Sequence, residues 1–305
     1  MKWKIFLLLV LMFTPVTLIS GPKPEQDLTV ELNNLVKDFR GNVGIYVHNL
    51  KTDQTVEINA DSLFPTASMI KVPIMLKIFD MIDHNELAYD SELTWYADSI
   101  NYPYEYGILS SFQEGKTIHL DEVVSLMITY SDNHAALWCQ KMAGGARINE
   151  WLDNHGFSKT RINSRTEGRQ GDWEKYGWGQ TTPREMARLL VLIREGKAVS
   201  PAASEKMYRF LTRIYWNNEA LSQIPPYIQA ASKQGAVDES RSEVVLVNGP
   251  SGDYVFSVIT NNQEDTSWEY DNEGPVLIRN VSRLLWEHFE PKYGWSPAKG
   301  GEKYR

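Results

Sequence analysis

The sequence predicts an α+β fold in which one antiparallel sheet, flanked by helices, is assembled from both chain ends around a long all-helical insertion. Two observations carry this expectation. Strand-like runs occur just after the first helix and again in the last third, whereas the segment between them repeats apolar residues every three or four positions. Strands from the two ends must pair into one sheet, so the insertion packs as a second lobe and leaves a cleft between the lobes. The expected boundaries are a sheet lobe over residues 25–65 and 227–290 and a helical lobe over 66–226.

Taken in order, residues 1–20 combine Lys2 and Lys4, an apolar run from Ile5 to Phe13, and falling hydrophobicity towards Ser20. That is the pattern of a secretory signal peptide. The run is shorter than the roughly 20 residues a spanning helix needs, and Pro15 follows it. An uncleaved anchor is the alternative. The expected product is a domain over residues 21–305, exported to the periplasm or the exterior, with no stable membrane span.

From Gln26 to Phe39, Leu28, Leu32, Leu35, Val36 and Phe39 recur at helical spacing, and Gly41 supplies a stop. VGIYVHNL and QTVEIN flank Lys51-Thr52-Asp53 as a hairpin. The insertion holds helical runs at IKVPIMLKIFDMI, LDEVVSLMITY, HAALWCQKMA and TPREMARLLVLIREG. In the last of these Thr182 is the cap, Pro183 the first helical residue and Glu185 the expected partner of a capping box. YIQAASKQGAV, EVVLVN and DYVFSVITN then read as strands, Gly249-Pro250-Ser251-Gly252 as a turn, and VLIRNVSRLLWEHF as a closing helix.

With 31 basic and 39 acidic residues the net charge is −8. No clustered basic surface is visible, which argues against nucleic acid as a partner. The one cysteine, Cys139, lies in a helical apolar context and reads as a buried filler. No His, Cys or carboxylate group has metal-ligand spacing, so no metal or organic cofactor is expected.

Chemistry concentrates at three places. In FPTASMIKVPIM, Ser68 and Lys71 lie one turn apart at a helix start, where the helix N-terminus favours negative charge on the serine oxygen and disfavours a second cation. Alone, S-x-x-K is a weak signal. Tyr130-Ser131-Asp132-Asn133 adds a hydroxyl and an amide between two helices, and Lys233-Gln234-Gly235 lies on a strand. In order and spacing the three resemble the S-x-x-K, S-D-N and K-T-G set of class A β-lactamases and penicillin-binding proteins. The resemblance extends from about residue 26 to 290.

The resemblance implies a β-lactamase/transpeptidase-like fold and a serine hydrolase acting, as a monomer, on a small-molecule amide. Ser68 attacks the carbonyl, Lys71 takes its proton and Ser131 returns a proton to the leaving nitrogen. Asn133 holds the substrate amide, Lys233 draws a substrate carboxylate, and Ser68 and Ala236 supply oxyanion N–H groups. Glu167, in R-x-E register, is the implied general base for deacylation, with a solvated loop charge as its bland alternative and Glu174 and Asp172 as rivals.

Two departures qualify this. The loop continues Gly168-Arg169-Gln170-Gly171 where the family has E-x-x-L-N, so the water-holding amide is missing unless Gln170 replaces it. Gln234 replaces a hydroxyl, and Arg241 sits one residue from the place of a compensating arginine, facing away unless a bulge intervenes. The reading is a β-lactamase-like hydrolase, conferring antibiotic resistance, acylated at Ser68 and deacylated by water. A DD-peptidase or other amide or ester hydrolase, and a non-catalytic penicillin-binding-like protein, are the alternatives.

Overall fold

Continuous apolar stretches in the terminal segments build a five-stranded antiparallel sheet. The computed structural model describes residues 25–104 and 107–304; the expected leader, residues 1–20, lies outside the described residues. The strands are β1 (Asn42–Asn49), β2 (Thr55–Ile58), β8 (Ala230–Val237), β9 (Ser240–Val247) and β10 (Tyr254–Asn261), in the order β2-β1-β10-β9-β8. β1 from one chain end pairs along its length with β10 from the other, Asn42 opposite Asn261 through Asn49 opposite Tyr254.

All of β9 is buried, and β1 and β10 nearly so, because both faces of the sheet are covered. Alternate residues go to different cores. Val43, Ile45, Val47, Val245 and Val247 pack with α1 (Glu25–Val36) and α9 (Glu273–Phe289) around Leu28, Leu32, Leu285 and Trp286. Tyr46, Val244, Leu246, Val255 and Ile259 face the other core, shared with the middle of the chain.

That second core is centred on α2 (Lys71–Asp83), whose Val72, Ile74, Met75, Leu76, Ile78 and Phe79 are buried on every side. A helix apolar all round belongs in an interior. Around it stand α3 (Leu120–Thr129), α4 (Asn133–Ala143), α5 (Gly145–Asn154) and α8 (Pro201–Leu211). A short sheet, in the order β3 (Phe64–Pro65), β7 (Gly179–Thr181), β6 (Arg161–Ile162), joins the two regions, and β4 (Glu92–Thr94) pairs with β5 (Thr117–His119). None of these short strands carries a readable period. α6 (Gln170–Tyr176) forms where the sequence suggested only loop. α7 (Pro183–Arg194), within the 66–226 segment, packs on β1, β9 and β10.

The start of α7 departs from its expected capping box. Thr182 does cap, its hydroxyl accepting from Glu185 N at 3.1 Å. Glu185, however, turns its carboxylate to the β6 side, accepting from Thr160 N and Thr160 Oγ1 at 2.7 Å each and from Lys159 N at 3.1 Å. It thereby ties the small sheet to α7. Glu185→Ala should cost about 2–3 kcal/mol in urea unfolding, because it strips a charged acceptor from buried donors. Glu195→Ala, which removes an exposed pair with Lys197, should cost under about 1 kcal/mol.

Candidate active site

Ser68 is set by strain on one side and anchorage on the other. After β3 the chain enters a 3₁₀ turn, Ala67–Ile70, with Ala67 at φ +43°. That left-handed conformation is costly for a residue with a Cβ. It is held because Thr66 N donates to Gly179 O at 2.9 Å while Met69 and Ile70 are buried. β8 comes close alongside. A Cβ on Gly235 would lie 2.6 Å from Thr66 O and 3.0 Å from Ala67 Cβ, so only glycine lets the strand approach the serine turn.

Lys71, the first residue of α2, is fully buried. Its Nζ lies 2.9 Å from Ser68 Oγ, 2.9 Å from Ser131 Oγ, 2.6 Å from Ser131 O and 2.8 Å from Asn133 Oδ1. Four contacts exceed the three N–H donors of an ammonium. A neutral amine also serves three at a time, but with different chemistry: two N–H groups donate to the carbonyl-type oxygens of Ser131 and Asn133, and the lone pair receives a proton from one serine hydroxyl, which an ammonium cannot do. Burial pulls the Lys71 pKa down to about 7, against the opposing charge of Asp132. Desolvation is thus the main cause, rather than the helix N-terminus invoked from the sequence.

The S-D-N segment is shaped to present these oxygens. Ser131 sits at φ +58°, and Asp132 caps α4 by accepting from Ala135 N at 2.9 Å while also accepting from Leu109 N at 2.9 Å. Asn133 Nδ2 donates to Tyr102 OH at 3.0 Å. The Asn133 amide is therefore fixed at both ends.

Lys233, also fully buried, donates to Ser131 Oγ at 3.0 Å, to Gln234 O at 3.0 Å and to Gln234 Oε1 at 2.9 Å. Gln234 thus turns its oxygen to the lysine. Burial and the nearby Lys71 push the Lys233 pKa well below the usual range, offset by Glu243 and Glu219. Ser131 lies between the two amines. The set can pass a proton from Ser68 Oγ to Lys71 and return one through Ser131 Oγ to a departing nitrogen. Ser68, Ser131, Gln234, Gly235 and Ala236 share the wall of one cavity of about 520 Å³.

Arg241 does not supply a free carboxylate binder. It pairs across the sheet with Ala236, and Glu243 stands opposite Gln234. Its guanidinium donates to the carbonyls of Val237, Ser240 and Ser267 and stacks 4.4 Å over Trp268. No bulge brings it into register.

Glu167 is not drawn into this network. It is exposed and lines a separate cavity of about 700 Å³ with Tyr102, Tyr104, Trp173 and Trp178. Its rivals are spent elsewhere: Gln170 donates to Glu174 at 3.0 Å, and Asp172 pairs with Arg169 at 3.0 Å. Arg169 fastens the loop by donating to Asn163 Oδ1 at 2.8 Å and Gln180 Oε1 at 3.0 Å. Gly179, at the end of the loop, packs so closely that an added Cβ would meet Arg161 O at 2.7 Å and also strike Ile70. Sequence reasoning passed over Glu243, fully buried, and Glu219, half-buried, both near Lys233; for Glu243 a glutamate at the head of the apolar run EVVLV was the available signal, and for Glu219 there was none.

A buried lysine between two serines, at the junction of an antiparallel sheet and a helical region, defines a serine hydrolase of the β-lactamase type. The profile of the beta-lactamase enzyme family matches residues 27–289, and the chain belongs to that family. It is 23% identical over 296 residues to beta-lactamase VEB-1 of Pseudomonas aeruginosa, covering 93% of this chain and 97% of the relative. Among solved structures, a penicillin-G acyl-enzyme of a PBP-A mutant superposes with a TM-score of 0.77 at 26% identity, covering 90% of this chain and all of that one. The class A beta-lactamase from Mycobacterium abscessus gives 0.75 at 20% identity, covering 86% and 99%.

Gly235→Ala should slow acylation of Ser68 by about 10- to 100-fold, since the added methyl displaces the serine turn. Timed labelling with a fluorescent penicillin measures this; labelling at the wild-type rate would contradict the close approach.

Proposed function

We propose that the protein is acylated at Ser68 by β-lactams or related peptide amides, with Lys71 as general base, Ser131 as proton donor to the leaving nitrogen, and hydrolysis of the acyl-enzyme as the slow step. Asn133, Lys233, Gln234 and the backbone of Gly235 and Ala236 hold the substrate in this reading. The observation that carries it is the Lys71 amine, buried and within 2.9 Å of both serine hydroxyls. Slow hydrolysis is supported by the exposure of Glu167 in a cavity apart from Ser68. A positioned general base contributes about 10²–10⁴-fold, and among the described residues no carboxylate is bonded to Lys71 or Ser68.

The same placement of Glu167 favours a second reading, a DD-peptidase that β-lactams trap as a stable adduct. In either case the leader pattern in residues 1–20 supports export to the periplasm or exterior, where cell-wall peptides and β-lactams are met. Among the described residues no helix is long and apolar enough to cross a membrane. A monomer with a small amide substrate remains the working form, and resistance to β-lactams would follow only if turnover is appreciable.

Intact-mass spectrometry after mixing with benzylpenicillin should show one covalent equivalent, absent in Ser68→Ala. Persistence of the adduct indicates trapping, and rapid return to the free mass indicates hydrolysis. Glu167→Gln should change the release rate by less than about 3-fold; a loss of about 10²-fold or more would restore Glu167 as the base. Because Lys71 works only uncharged, the acylation rate should rise with pH through about 7. A rate flat across that range would contradict the role given to the amine.

A further inference from the structure

The cavity wall beyond Ser68 contains an acid that the acylation chemistry does not use. Glu219 lines the same cavity as Ser68 and Ser131. Its Oε2 is closed off from solvent and has no hydrogen-bond partner. The turn it starts, Ala220–Gln223, is pinned on two sides: Ala220 N donates to Glu243 Oε2 at 2.8 Å, and Ser282 Oγ of α9 donates to Ala220 O at 2.8 Å. Glu243 also accepts from Ser232 Oγ at 2.5 Å, so both of its oxygens are served.

Two carboxyl groups this close in an interior cannot both ionise cheaply. The bonded one, Glu243, keeps the charge, and Glu219, with an oxygen unserved, is the one better left neutral. Burial and then Glu243 push the Glu219 pKa up, while Arg279 of α9, Arg241 of β9 and Lys233 of β8 work against the rise. The two arginines also give this end of the cavity a positive potential. Arg241 and Arg279 are held under Trp268 and Tyr270, and Gln234 Oε1 already accepts from Lys233.

We propose that Glu219 is a specificity-determining residue which, as a neutral carboxylic acid, donates a hydrogen bond to the substrate's carboxylate on the Lys233 side of Ser68. It stands in for the hydroxyl that Gln234 has displaced and for the arginine that Arg241 fails to provide. The enclosed oxygen is then a carbonyl, cheap to leave unpartnered, and the other carries the proton towards the cavity. This rests on the acylation of Ser68 proposed above.

The test compares acylation constants, read by intact mass, for benzylpenicillin and for its methyl ester, using wild type, Glu219→Gln and Glu219→Ala. Wild type should prefer the acid. Glu219→Ala should shrink that preference by about 10- to 100-fold, the worth of one hydrogen bond to a charged group. Glu219→Gln, whose amide still donates, should keep the preference within about 3-fold. Acylation of the acid by wild type should fall above about pH 8 as Glu219 ionises, and Glu219→Gln should not show that fall. The proposal is overturned if Glu219→Ala slows acid and ester alike, if Gln is as damaging as Ala, or if the alkaline fall persists in Glu219→Gln and so belongs to Lys233. A preference for a cationic analogue over the acid, abolished in Glu219→Gln, would show an ionised Glu219 and overturn it too. Wild type that is never acylated by either compound defeats the functional reading itself; acylation with an unchanged acid-to-ester ratio defeats only the proposal. Should the Ala variant misfold, the near-isosteric Gln variant and its pH profile decide alone.

Discussion

The site depends on one desolvated amine. Lys71 is held where water cannot reach it, within hydrogen-bond distance of two hydroxyls and two carbonyl-type oxygens. An ammonium there would lose its hydration, so burial favours the neutral form, whose lone pair can take a proton from a serine hydroxyl. Much of the nearby architecture serves that enclosure. α2 is largely buried, the S-D-N segment closes over the amine from the helical side, and β8 closes it from the sheet side. Gly235 allows the last few tenths of an ångström of approach, and Ala67 accepts an unfavourable backbone conformation to aim the serine.

Enclosing one lysine forces arrangements around it. A second buried lysine, Lys233, stands across Ser131, and two buried cations would repel one another without nearby acid. Glu243 supplies it, with Glu219 nearby; burial raises the pKa of both carboxyl groups and lowers that of both lysines, so none of the four holds its ordinary charge independently of the others. The cleft is therefore a coupled set in which altering one group moves the protonation of the others. The loop bearing Glu167 stands apart. It is fastened by Arg169, Asn163 and Gln180 and opens onto an aromatic cavity separate from the one that Ser68 lines.

The main sheet and the longer helices were legible because their apolar residues keep strict periods: Val43, Ile45 and Val47 on one face of β1, and the all-round apolar run of α2. Ser68, Lys71, Ser131, Asn133 and Lys233 were legible because their chemistry is tied to short fixed spacings. What the sequence hid depends on side-chain direction. Thr182 was read correctly as a cap, yet Glu185 could not be seen to leave the capping box for Thr160. Glu167 holds the right distance along the chain, but a loop's path is set by bonds such as Arg169 to Asn163, which no periodicity records. The short strands β3, β6 and β7 are too brief for a pattern. Glu219 and Glu243 escaped notice because charge in a sequence is read as surface until burial is known.

The most direct measurement is the ionisation of the Lys71 amine itself, followed by NMR of protein labelled with nitrogen-15 at lysine Nζ and assigned with Lys71→Arg. The account predicts a resonance that titrates near pH 7, far below an exposed lysine. A Lys71 ammonium that stays charged to about pH 10, as in model peptides, would contradict it and leave Ser68 without a base.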